Sequence, residues 1–171
     1  GNLVQNGDFS QIGSELITNG DFSQIGSELI TNGDFATDSN WTKQTGWSIS
    51  GGSANCNTNS SFQLYQDNVV QTNKFYKITY TVSNYQSGGV FFRFNTVDGD
   101  VRTANGTYTE YLKATNSPFG RVHFRTLAQG GFVGSIDNIS VKQVDPNDYW
   151  TLGTDWNFGD GKAIYGGNAN G

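Results

Sequence analysis

The side chains with the most chemical potential lie on three short alternating segments. Gln63 and Tyr65 are two apart, as are Phe91, Arg93 and Asn95, and again Arg121, His123 and Arg125. In an extended chain, successive side chains point to opposite faces, so each set shares a face. Aromatic rings offer flat apolar surface to sugar C–H groups, and Arg, Asn and Gln offer planar hydrogen-bonding groups. The basic members, Arg93, Arg121, His123 and Arg125, point to an acidic glycan. The competing reading is an ordinary solvated sheet face, or an interface with another subunit.

Catalysis has little support. Asp98, Asp100 and Glu110 fall in turns or on faces with no paired partner in view. His123 has many Ser residues in the chain but no strand–turn–helix context for a nucleophile. With one Cys and one His, the chain lacks the ligands for the usual zinc sites, and Cys56 cannot form an internal disulfide.

The elements that must position these residues are strands. Tyr76, Ile78, Tyr80 and Val82 alternate with Lys77, Thr79 and Thr81. Val90, Phe92 and Phe94 interleave with Phe91 and Arg93, and Val122 and Phe124 interleave with the basic residues. Gly51-Gly52, Ser87-Gly-Gly89, Asp98-Gly-Asp100, Asn105-Gly106 and Gly130-Gly131 read as turns. The pattern predicts an all-β fold: an antiparallel two-sheet β-sandwich of jelly-roll type. Its predicted core includes Phe35, Ile78, Tyr80, Phe92, Phe94, Val122, Phe124, Ile139 and Val141. Trp41 and Trp47 are expected to plug one end of the sandwich rather than bind ligand.

Composition agrees. Charged residues make up 15% of the chain, Gly is abundant at 23 residues, and Met is absent. That mixture suits strands and turns more than helices. The net charge of −5 argues against nucleic-acid binding through a global basic surface. No apolar run is long enough for membrane insertion, and no signal peptide is visible. Asn-x-Ser/Thr sequons occur at Asn40, Asn59, Asn105 and Asn138.

Two features lie outside the central pattern. Asn6 to Thr18 recurs without change as Asn19 to Thr31, and a third copy begins at Asn32 and departs after Phe35. Each copy joins Leu-Ile to an Asn-Gly turn and then Asp-Phe, so Glu28–Phe35 reads as a first strand and turn, with spare copies ahead of it. Downstream, Trp150-Thr-Leu-Gly-Thr-Asp-Trp156 and Gly161-Lys-Ala163 match Trp41-Thr-Lys-Gln-Thr-Gly-Trp47 and Gly52-Ser-Ala54. The expected organisation is a strand-repeat arm over 1–27, a sandwich over 28–144, and a linker with the truncated start of a second module over 145–171. A second copy of the first strand could pair with an equivalent edge elsewhere. The arm is therefore expected to be extended strands that make intermolecular or inter-module contacts and build a homo-oligomer or larger assembly.

Asn-Gly-Asp-Phe35, the paired Trp residues with Gly, the alternating strands and Ser135-Ile-Asp-Asn-Ile-Ser-Val141 together resemble the jelly-roll carbohydrate-binding modules. These are appended to xylanases and cellulases, and occur in tandem in bacteriophage tail and virion proteins. The resemblance covers about residues 28–144, with a partial copy at 150–171. It implies a non-catalytic module with a glycan or cell-surface polysaccharide as partner, in an extracellular or virion setting. It also implies that the face bearing Tyr65, Arg93 and His123 is a concave groove. A structural calcium is implied at Asp34 and Asp137, where backbone carbonyls would complete the oxygen shell. The bland reading of Asp34 is turn chemistry, and of Asp137 a strand-end charge. A purely structural filament or virion subunit without sugar recognition is the alternative.

Overall fold

A computed structural model of the chain describes residues 13–166. Those residues form strands, turns and bends with no helix. The first sheet has six strands. β3 (Trp47–Ser50), β4 (Ser53–Thr58), β11 (Phe132–Val144), β6 (Phe75–Gly88) and β9 (Gly106–Lys113) follow in that order, and β1 (Ile25–Glu28) also pairs with β11. The second sheet has five strands, in the order β2 (Thr42–Lys43), β5 (Gln63–Gln66), β10 (Val122–Thr126), β7 (Val90–Phe94) and β8 (Val97–Asp98). A separate hairpin joins β12 (Trp156–Gly159) to β13 (Lys162–Tyr165). Every pairing is antiparallel. The fold is the all-β sandwich that the alternation predicts.

The alternating apolar residues meet between the two sheets. All of the predicted core residues, from Phe35 to Val141, are buried. Tyr80 on the first sheet meets Phe124 on the second edge to face, with ring centroids 4.9 Å apart. Phe92 continues the contact to Phe124 at 5.5 Å and to Phe94 at 5.0 Å, both nearly perpendicular. Edge-to-face rings place the positive edge of one on the negative face of the next. Trp41 and Trp47 are buried, and Phe132 packs 6.4 Å from Trp47.

The three carboxylates weighed for catalysis are each held by an arginine. Asp98 pairs with Arg93 at 3.0 Å and Asp100 with Arg102 at 3.2 Å. Glu110 is buried and accepts from Arg102 at 2.7 Å and from the Tyr80 hydroxyl at 2.8 Å. Arg102 lies outside the named strands and bridges to Val90 of the second sheet, so alternation alone did not reveal the pair. Gly99 makes it possible, because a Cβ there would stand 1.8 Å from Glu110 Oε2.

The first strand begins at Ile25 rather than Glu28. Ile25 pairs with Val144 and Glu28 with Lys142, and Leu29 N donates to Val141 O at 3.0 Å. Ile25-Gly-Ser-Glu28 has a single apolar residue, so its pairing comes from the backbone and leaves no alternation to read. The arm, expected as extended strands in intermolecular or inter-module contacts, meets the tail of its own chain in the described part from Gly13 onward. Asn19–Phe22 forms a turn that contacts the tail of the same chain: Asn19 Nδ2 donates to Asp145 Oδ1 at 2.9 Å, and Trp150 Nε1 donates to Asn19 O at 2.8 Å. The first copy of the repeat, up to residue 12, lies outside the described residues.

Candidate functional site

Antiparallel register places the candidate residues in rows on the outer face of the second sheet. His123 of β10 stands opposite Tyr65 of β5 and Arg93 of β7. Arg125 stands opposite Gln63 and Phe91. Val122 and Phe124 point into the core between them. The shared face read from alternation is thus present, but its members differ in what they do.

Gln63, Arg93, Asn95, Arg121, His123 and Arg125 line one depression of about 240 Å³. The loop before β10 adds Ser117, Pro118 and Phe119 to its wall. Phe119 is 68% exposed, an aromatic ring left in water at the edge of a basic hollow. Neither it nor Ser117 was anticipated from the sequence. The signal was present in Asn116-Ser-Pro-Phe-Gly120, a turn cluster that leads straight into β10.

Tyr65 and Phe91, the aromatic residues expected on this face, do not line the depression. The Arg121 guanidinium lies 3.8 Å over the Tyr65 ring, so that ring is already stacked. Phe119 takes the place that those two were expected to hold.

The guanidinium groups are not equivalent. Arg121 is gripped by both oxygens of Asp67, at 2.6 and 3.0 Å. Arg93 Nε faces Asp98 at 3.0 Å and donates to Asn95 O. Asn95 Nδ2 in turn donates to Asn116 O at 2.6 Å, tying the loop to β7. Arg125 donates to the neutral Ser61 Oγ at 2.8 Å, and has no carboxylate partner among the described residues.

His123 was expected to face solvent and is instead buried, at 6% exposure. Its Nδ1 lies 3.1 Å from Gln63 Oε1. Burial, reinforced by Arg93, Arg121 and Arg125, pushes its pKa down to about 4. The imidazole is therefore neutral at physiological pH. With Nδ1 donating to Gln63, Nε2 presents a lone pair. Nε2 is buried without a hydrogen-bond partner, and so is Ser117 Oγ in the same hollow. Buried polar atoms are paired in the great majority of cases, so two orphans in one depression are unusual.

The segments that carry Asp34 and Asp137 are joined by one backbone bond, from Ile139 N to Gly33 O at 2.9 Å. Asp34 accepts from Ala36 N at 3.3 Å, and Asp137 from Asn138 N at 2.6 Å. Asn138 has φ 53° at an irregularity in the β11–β6 register. Among the described residues, no group of three or more His, Cys, Asp or Glu gathers as a metal cluster. A calcium at this seam would draw on these two carboxylates and on carbonyl oxygens, a hard-oxygen set that suits that ion.

A second depression, of about 230 Å³, lies between sandwich and tail, with Lys74, Lys113, Asp145, Asp148, Trp150 and Phe158 in its wall. Its charges are mixed, and its wall is shared by the β6 and β9 ends and the tail.

No family model matches the sequence, and no curated protein matches it. Solved structures do. The BiXyn10A CBM1 module in its apo form is 17% identical, with 71% of this chain and 98% of that one covered, at TM-score 0.49. TmCBM61 in complex with β-1,4-galactotriose is 14% identical over 68% of this chain and 98% of that one, at TM-score 0.41. The enzymatically active domain of bacteriophage CBA120 tailspike protein 4 is 15% identical, at TM-score 0.49. There 68% of this chain covers only 21% of the tailspike chain. The fold itself is an antiparallel all-β sandwich of two sheets.

Proposed function

We propose that this chain is a non-catalytic adhesive module that binds an acidic glycan in the Arg93–His123–Arg125 depression, within an extracellular or virion assembly. The observation that carries the reading is the convergence of three groups: Arg125 with no carboxylate partner among the described residues, the orphaned Nε2 of His123 and Oγ of Ser117, and the exposed Phe119 ring. Arg125 pairs with a carboxylate or sulfate through charge-assisted hydrogen bonds. Phe119 covers the apolar face of a sugar ring. Asp67 and Asp98 hold Arg121 and Arg93 in place, so the hollow is pre-organised and not simply positive.

Calcium at the Asp34–Asp137 seam belongs to the same reading as a structural ion that stiffens the junction of the first turn with β11. Among the described residues no helix is long and apolar enough to cross a membrane.

The test is titration calorimetry with acidic and neutral oligosaccharides against the wild type and an Arg93→Ala/Arg125→Ala variant. Binding of acidic oligosaccharides that the double variant loses supports the proposal. Absence of any glycan ligand favours a second reading, a structural subunit of an assembly. That reading draws its support from the arm–tail contact at Asn19 and Trp150.

A further inference from the structure

Asp98 and Gly99 are neighbours in sequence and serve opposite faces of the second sheet. β8 lies at the edge of that sheet, and Asp98 stands opposite Arg93 of β7. It meets Arg93 Nε at 3.0 Å, on the side of the basic hollow. Gly99 N donates to Phe92 O at 2.8 Å, and Gly99 takes the inner side. A Cβ there would stand 1.8 Å from Glu110 Oε2, so Gly99 sets the backbone of this segment directly on the Glu110 carboxylate.

The segment is pinned again at Arg102. Its N donates to Val90 O at 2.8 Å, and its O accepts from Val90 N at 3.1 Å. The Arg102 guanidinium crosses to the first sheet. There it donates to Glu110 Oε1 at 2.7 Å and to Tyr80 Oη at 3.3 Å, and it lies 4.5 Å over the Tyr108 ring. Tyr80 Oη donates to the same Glu110 oxygen at 2.8 Å. β9, which carries Tyr108 and Glu110, is the edge strand of the first sheet. Residues 97–102 therefore form a strap along one side of the sandwich. Its outer face holds Arg93, and its inner face is clasped by Glu110.

Packing alone does not call for an ion pair here. Glu110 is 7% exposed, and its Oε2 has no hydrogen-bond partner. Burying a carboxylate oxygen unpaired is destabilising, and an apolar side chain would close the same edge without that penalty. What the carboxylate adds is direction. It fixes one guanidinium, and through it the path of the strap and the place of Asp98. Arg93 passes the constraint on, because its Nε also donates to Asn95 O, and Asn95 Nδ2 donates to Asn116 O on the loop that bears Phe119.

We propose that Glu110 is a positioning residue for the Arg93 guanidinium in the basic hollow, acting through the strap and Asp98. Its purpose rests on the hollow binding an acidic glycan; its mechanics do not, and they are measurable without ligand.

Hydrogen exchange of the Arg93 Nε–H, followed by NMR on the ligand-free full chain, reports how firmly that guanidinium is held. Asp98→Asn removes the ion pair directly and sets the upper limit. Glu110→Gln, on the other sheet, should speed the exchange by about tenfold, the size of one coupled contact. Tyr80→Phe keeps the core filled and removes only the hydroxyl on Glu110, so it serves where Glu110→Gln fails to fold; it should act in the same direction. The Asp98→Asn/Glu110→Gln double variant should exchange no faster than Asp98→Asn alone, because Glu110 acts through Asp98. Unchanged exchange in Tyr80→Phe and in any folded Glu110→Gln protein, or a double variant whose two effects simply add, would overturn the proposal and leave Glu110 as a plain tie between two edges. The predicted exchange pattern in a chain that binds no acidic oligosaccharide would uphold the positioning of Arg93 and remove the glycan reading instead.

Discussion

His123 Nδ1 and Gln63 Oε1 lie 3.1 Å apart on neighbouring strands, a contact that holds a neutral imidazole under a ring of guanidinium groups. The folded protein keeps His123 unprotonated down to a pH of about 4, whereas an unfolded chain protonates it near the ordinary value of 6.5. Between those values the unfolded state binds more protons, so stability falls as pH falls. The expected loss is on the order of 3 kcal/mol from pH 6.5 to pH 4. Denaturant titrations across that window should show a slope that His123→Gln flattens. An unchanged slope in the variant would mean that other groups set the acid sensitivity.

Phe92 and Phe124 stand opposite each other on β7 and β10 of the second sheet with nearly perpendicular rings, and Phe124 meets Tyr80 of the first sheet at 4.9 Å. Replacing either with Ala should cost about 3–5 kcal/mol through lost burial and the cavity left behind. A loss under about 1 kcal/mol would contradict the assignment of faces.

Much of this was legible from alternation alone. Tyr76–Val82, Val90–Asn95 and Arg121–Thr126 have a two-residue period, and one face of each must be buried once sheets form. Other features carry no such period. Thr42–Lys43 and Val97–Asp98 are strands of two residues, too short to show alternation. Asp67 and Asp98 could not be assigned to Arg121 and Arg93 without the strand order, and Phe119 sits on a loop whose position depends on Asn95. His123 is flanked by Gln63, Tyr65 and Arg93 from β5 and β7, neighbours that its own strand does not name. The likeness of Trp150–Trp156 to Trp41–Trp47 was readable, but the turn that Trp150 uses, Asn19–Phe22, became clear only in three dimensions.

The arm–tail latch predicts local rather than global effects. Asn19→Ala removes a buried hydrogen bond to Asp145 and places a less tolerant residue at φ 54°. Limited proteolysis should then cut the tail after Val144 faster, while the main melting transition moves little. Equal loss of both would show that sandwich and tail unfold as one unit.

If calcium occupies the Asp34–Asp137 seam, adding it should raise the melting temperature and chelation should reverse the gain. Asp137→Ala should abolish the response. A melting temperature indifferent to calcium and chelator would remove the ion from the account.

Arg125 provides the most direct measurement. Its charge has no carboxylate partner among the described residues, so Arg125→Ala should remove affinity without disturbing an internal ion pair. Once an acidic oligosaccharide ligand is found, calorimetry should show a loss of about 1.5–3 kcal/mol in Arg125→Ala, with Arg125→Lys recovering part of it and the melting temperature unchanged. An affinity that stays the same in Arg125→Ala would contradict glycan binding in this depression.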